Sequence, residues 1–148
     1  MGGMYVQTKI VTRYSESDAL GHISNVSYLI YFEQARVDFI LGTRIIGDIK
    51  DWPFVLASTH CDYKKQLHVN QNIVVKTFVK RIGLRSFTLG HQIFIEDTGE
   101  LAAEGEGVIV HFDFVLQKST PLTDEMIKRL KQSVVIEEET QTRQEIIS

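Results

Sequence analysis

Most of the side chains that could do chemistry lie in one loop: Tyr14-Ser15-Glu16-Ser17-Asp18-Ala19-Leu20-Gly21-His22-Ile23-Ser24-Asn25. Asp18 sits seven residues before Asn25, where the sequence turns helical. A loop of that length can fold the carboxylate back over the helix N-terminus. The first N–H groups of a helix lack internal partners and carry the positive end of its dipole, so they can stabilise negative charge. A carboxylate beside such donors is what acyl transfer needs: a nucleophile or base, with donors for the developing oxyanion. The same spacing also fits a carboxylate that only caps a turn.

Other residues offer weaker signals. His22 can hydrogen-bond a substrate or Asp18, or serve the loop's structure. Tyr28, one turn beyond Asn25, can line a pocket or pack in the core. Glu33 falls inside an apolar helix, where a buried carboxylate is costly unless paired. Arg36, at i,i+3, offers it a partner. The five histidines (22, 60, 68, 91, 111) show no ligand spacing, so no metal is expected. The single cysteine, Cys61, lies in a strand-like segment and reads as an inert thiol. No glycine-rich phosphate loop is present.

The elements that must position these residues follow from composition and period. Residues 5–14 are rich in β-branched and aromatic types and read as a strand. Residues 26–41 recur apolar at Leu29, Phe32, Ala35 (or Arg36), Phe39 and Ile40, with Gly42 suited to the position past the end. Ser24 or Asn25 suits the N-cap. The helix is apolar on more than one stripe and is expected to be largely buried. Thr43 to Ile49 reads as a broken turn. After Trp52-Pro53 come four β-type runs: Phe54–Leu67, Gln71–Ile82, Ser86–Glu96 and Leu101–Leu116. Turn residues separate them at 68–70, 83–84 and 97–99, which predicts an antiparallel meander. Pro121 to Gln132 reads as a short helix capped by Thr123 or Asp124. The outline is α+β, an antiparallel sheet wrapped around one long central helix. One domain is expected over residues 4–132, with a flexible tail over 133–148.

Composition sets the broad class. The chain has 148 residues, 43% of them hydrophobic, and a formal charge of −3, which excludes disorder and gives no reason to expect nucleic-acid binding. No apolar run reaches the ~18 residues of a membrane span. No basic region precedes an apolar stretch, so no signal peptide is expected. Together with the lone cysteine this predicts a cytoplasmic protein. Charge is segregated: Lys64, Lys65, Lys76, Lys80, Arg81 and Arg85 fall in 63–95 without an acid, and six acids fall in 96–117 without a cation. That is either two solvated strand faces or a basic rim for a polyphosphate.

The stretch RYSESDALGHISNVSYLIYFEQAR resembles the signature of the 4-hydroxybenzoyl-CoA thioesterase family, a branch of the hotdog-fold thioesterases. Arg13, Tyr14, Glu16, Asp18, Gly21, His22, Asn25, Tyr28, Tyr31, Phe32, Glu33, Ala35 and Arg36 match it. Ser17 and Ser24 are mild departures. Cys61-Asp62-Tyr63 and the run Arg81-Ile82-Gly83-Leu84-Arg85-Ser86 match two further family features. The resemblance spans roughly residues 5–130. It implies an acyl-CoA thioesterase with a hotdog fold. Asp18 falls on the catalytic aspartate, as nucleophile or general base, and the Asn25 N–H on the oxyanion donor. Arg85 and Ser86 fall where the family contacts the CoA nucleotide, with Lys64 and Lys65 as weaker candidates. In another hotdog branch a helix Glu is catalytic, which makes Glu33 the rival of Asp18. The family joins sheets edge to edge, so a homodimer or homotetramer with sites between protomers is expected. No cofactor is implied; coenzyme A is part of the substrate. An acyl carrier protein is the alternative carrier. A non-catalytic acyl-CoA-binding protein is the alternative class, and the presence of Asp18 argues against it.

Overall fold

The segment that follows the Asp18 loop forms helix α1, Asn25–Gly42, and the other elements are arranged around it. The computed structural model describes residues 6–133; the first five residues and the tail beyond Ser133 lie outside it, as do the expectations that fall on them. One face of α1 is buried: Ser27, Tyr28, Tyr31, Phe32, Ala35, Arg36, Phe39 and Ile40 recur at three- and four-residue steps. Val26, Ile30, Glu33 and Gln34 are exposed on the other face. The expectation of a largely buried helix therefore holds for one side only. Tyr28 and Tyr31 take the deep positions, and Leu29 is only half-buried. Gly42 is the last helical residue and not the one past the end. Thr43 Oγ1 donates to the Phe39 carbonyl at 2.7 Å, and Arg44, at φ 59°, makes the turn instead.

Six strands form the sheet: β1 (Val6–Val11), β2 (Phe54–Tyr63), β3 (Asn72–Ile82), β4 (Ser86–Ile95), β5 (Leu101–Asp113) and the short β6 (Lys118–Ser119). Their order is β1-β3-β4-β5-β2, all antiparallel, with β6 on β5. This corrects the meander. Only β3, β4 and β5 follow one another; β2 crosses to the far edge. The free edge of β3 is taken by β1, from Val6↔Thr77 to Val11↔Asn72, closed by bonds between Thr12 and residues 70–71. β2 pairs with β5 from Phe54↔His111 to Tyr63↔Ala103. Gly105 makes that approach possible, since a Cβ there would lie 2.0 Å from the His60 carbonyl oxygen. Residues 68–70 are thus part of a crossing segment and not of a hairpin.

β5 ends at Asp113, short of the expected Leu116. The Asp113 carboxylate accepts the N–H groups of Val115 and Leu116 and turns the chain back. A second helix, α2, runs over 124–133, and Thr123 Oγ1 caps it by accepting the Met126 N–H at 3.1 Å. It includes Ser133, which is buried, one residue beyond the expected domain end.

The sheet curls around α1, giving the α+β hotdog arrangement. The N-terminal half of the helix packs Tyr28, Tyr31, Phe32 and Ala35 on Ile73, Val75, Ile93 and Ala103. The C-terminal half packs Phe39 and Ile40 on Val79, Phe87 and Leu89, with Leu122, Met126 and Leu130 closing the end. Each such buried side chain contributes about 1.5–3 kcal/mol of transfer free energy, so the helix is held firmly under the sheet. The segregated charges meet across strands: Lys64–Glu104, Lys65–Glu100, Lys80–Glu106 and Arg81–Glu106 are ion pairs of 2.7–3.8 Å. The arrangement fits solvated strand faces, with most of the basic segment already neutralised by the acidic one.

Candidate active site

The Asp18 loop is a small hairpin. Ser17 bridges Ile23, the Ser24 N–H donates to the Glu16 carbonyl at 2.9 Å, and the Asp18 N–H donates to the His22 carbonyl at 2.7 Å. Gly21, at φ 80°, makes the reversal that side chains rarely allow. Asp18 stands exposed at the tip. Its Oδ1 accepts the N–H groups of Leu20 (2.8 Å) and His22 (3.1 Å). The turn-capping reading is therefore true of one oxygen. Oδ2 takes no hydrogen bond among the described residues, so one carboxylate oxygen is held by the turn and the other is available.

Asn25 follows the hairpin directly as the first helical residue. Ser24 occupies the N-cap position but its side chain makes no capping bond. Among the described residues the Asn25 and Val26 N–H groups have no acceptor, so the positive end of α1 is open beside the Asp18 hairpin. Several contacts fix that end. Tyr63 Oη donates to the Asn25 carbonyl at 3.0 Å. Tyr28 Oη donates to the Lys65 carbonyl at 3.2 Å and accepts the Leu67 N–H at 2.9 Å. The Ile23 N–H donates to the Leu67 carbonyl at 2.8 Å. Tyr28 is 1% exposed and belongs to the core cluster around the N-terminal half of α1.

His22 is half-buried, meets the His68 ring edge-on at 5.2 Å between centroids, and bridges to it through the backbone. Glu33 is exposed, with 68% of its side chain accessible, and lies 3.8 Å from Arg36. The buried member of that pair is Arg36, the reverse of the expectation. Burial pushes its guanidinium down from the usual range, against the pull of Glu33. Cys61 is half-buried, and burial raises its thiol. Arg85 and Ser86 lie at the β3–β4 turn, where Arg85 Nη1 donates to the Ser119 carbonyl at 2.9 Å. The Asp18 hairpin sits at the other end of β3, whose 11 residues span roughly 35 Å. One chain does not bring Arg85 and Asp18 together. Lys64 is near the Asn25 end, 3.8 Å from Glu104. No cluster of three or more metal-capable side chains occurs among the described residues.

Reasoning from sequence did not single out His68 or the roles of Glu16, Tyr31 and Tyr63 as anchors of the loop. Tyr31 Oη donates to Glu16 Oε1 at 2.7 Å across fifteen residues, and no local pattern announces such a pair.

Residues 12–130 match the model of the thioesterase-like superfamily. The chain belongs to that superfamily. It is 31% identical to YsmA of Bacillus subtilis over 117 residues, 79% of each chain. It is 24% identical over 135 residues to the long-chain acyl-CoA thioesterase FadM of Escherichia coli, covering 87% of this chain and 99% of that one. Among solved structures it superimposes, at a TM-score of 0.77 and 27% identity, on a Thermus thermophilus thioesterase complexed with coenzyme A and Zn, covering 89% of this chain and 96% of that one. The chain is thus a hotdog thioester hydrolase, and the Asp18 hairpin and the N-terminus of α1 form its candidate active site.

Proposed function

We propose that this protein hydrolyses acyl-CoA thioesters to a free carboxylic acid and coenzyme A. The observation that carries the reading is the pairing of a half-committed carboxylate with an uncapped helix N-terminus in one short hairpin. Asp18 Oδ1 is engaged by turn amides. Oδ2 attacks the thioester carbonyl or takes a proton from the attacking water. The Asn25 N–H, with the dipole of α1 behind it, receives the oxygen as it becomes negative. His22, whose backbone N–H donates to Asp18 Oδ1 at 3.1 Å, contacts the substrate in this reading. Glu33, exposed and paired with Arg36, is left outside the chemistry.

Coenzyme A as carrier is supported by the named activity of the E. coli relative and by the coenzyme bound in the T. thermophilus structure. Pairing of the lysines with acids weakens the case for an acidic carrier protein. The separation of Arg85 and Ser86 from Asp18 supports a second protomer as the source of nucleotide contacts. A homo-oligomer joined along the exposed β2 edge would provide them.

The test is thiol release from a series of acyl-CoAs, acetyl to palmitoyl plus one aroyl ester, with wild type and Asp18→Asn side by side. Turnover that collapses in the variant supports the reading. No release from any ester by folded protein overturns it.

A further inference from the structure

Glu16, two residues before Asp18, is bonded from both sides. Its carboxylate accepts the Arg13 N–H at 2.9 Å, the Arg13 guanidinium at 2.9–3.0 Å and the Tyr31 hydroxyl at 2.7 Å. Its carbonyl accepts the Ser24 N–H at 2.9 Å and the Ser27 hydroxyl at 3.0 Å. Ser27 and Tyr31 belong to α1, and Ser24 is the residue before it. Tyr31 is 2% exposed and packed in the core, so its hydroxyl is a fixed point of the helix. The Glu16 side chain is only 10% accessible.

From this geometry we infer that Glu16 and Tyr31 are positioning residues that set the Asp18 carboxylate against the Asn25 N–H. The inference rests on the proposed reading of those two groups. Asp18 itself makes no described bond to α1; its contacts stay within its own turn. The hairpin between Glu16 and Ser24 reaches the helix through Glu16. Freeing the Glu16 carboxylate leaves the Asp18 turn intact but lets it rock relative to the helix end. A misplacement on the order of 1 Å at a reacting group can cost about a hundredfold in rate.

The test is a double-mutant cycle on Tyr31→Phe and Glu16→Ala, with Glu16→Gln as the conservative variant. Tyr31→Phe removes one hydroxyl and leaves the core ring. The expected result is a tenfold to hundredfold fall in kcat, with KM changed less than twofold. The double variant should lose no more than the worse single one, because both cut the same tie. Glu16→Gln keeps an acceptor for Tyr31 and should recover much of the loss. Amide exchange supplies a readout independent of turnover: protection of the Leu20 and His22 N–H groups should stay as in wild type, while that of Ser24 falls in Tyr31→Phe. Unchanged kcat in both single variants, additive losses, or losses that only follow the melting temperature would overturn the inference. Wild type without thioester turnover would instead remove the reading it rests on, and the exchange result would still report whether the tie holds the hairpin.

Discussion

At the scale of single residues, the geometry makes Asp18 the group to test first. Asp18→Asn keeps the acceptor that holds the Leu20 and His22 N–H groups, so the turn should survive. It removes the charge that attacks or takes the proton. The expected outcome is a fall in kcat on the order of 10³-fold, with an unchanged melting temperature. Steady-state kinetics and a thermal melt on the same sample check it, and near-wild-type turnover would return attention to Glu33. His91 gives a second prediction. It lies 1% exposed beneath the Phe32 ring, with Nδ1 2.9 Å from Thr77 Oγ1 and Nε2 without a partner among the described residues. Burial, helped by the positive charge of Arg36, lowers its pKa from 6.5 to about 3. Between those values the unfolded chain binds a proton that the folded one does not. Stability should therefore fall as pH drops below 6.5, with a slope from this group approaching about 1.4 kcal/mol per pH unit. Urea unfolding between pH 7 and 4 should show a flatter profile for His91→Leu, and an unchanged profile would mean that His91 titrates freely in the fold. The Asp18 loop and the start of α1 at Asn25 were legible in the sequence because loop length and helix start are local properties. The buried charge was misplaced onto Glu33 because a helical period cannot say which of two neighbours on a turned face points inward.

At the scale of elements, the strands and α1 were legible to within a few residues, since β-branched runs and the helical period are written in the chain itself. The pairing was not. β2 joins β5 because β1 already occupies β3, and that competition involves strands more than sixty residues apart. The clue lay in Gly105, whose lack of a side chain admits the β2 backbone. Gly105→Ala should cost about 2–4 kcal/mol or prevent folding, because the clash is with backbone and cannot be relieved by a rotamer change. Gly21→Ala is the contrast. Nothing lies within 4 Å of a Cβ there, so only the positive φ is penalised, by about 1 kcal/mol. Thermal melts of the two variants should differ accordingly. Equal losses would mean that β2 can shift away from β5 without breaking the sheet.

At the scale of the whole molecule, the single chain presents surfaces that its own elements leave uncovered. Val26 and Ile30 on α1 are 64% and 49% exposed, and Leu56 on β2 is 44% exposed. Ile30 and Leu56 line a groove of about 420 Å³ between the helix and the edge strand, with the Arg36 guanidinium at its wall. Arg36 is 7% exposed yet has only the 3.8 Å contact with Glu33 among the described residues. The guanidinium faces that groove, and acceptors from a second copy laid along β2 would pair with it. The same docking would supply Arg85 and Ser86 from outside the chain that carries Asp18. Wild type should therefore sediment as a dimer or tetramer. Ile30→Asp puts a charge in the centre of that face without touching the core or the Asp18 hairpin, so it should sediment as a folded monomer. Its acyl-CoA turnover should fall at least tenfold, chiefly through a raised KM, because the nucleotide contacts are lost while the Asp18–Asn25 pair stays in place. A monomeric wild type with full turnover would show that one chain holds a complete site, and the β3–β4 turn would then have no part in binding the substrate.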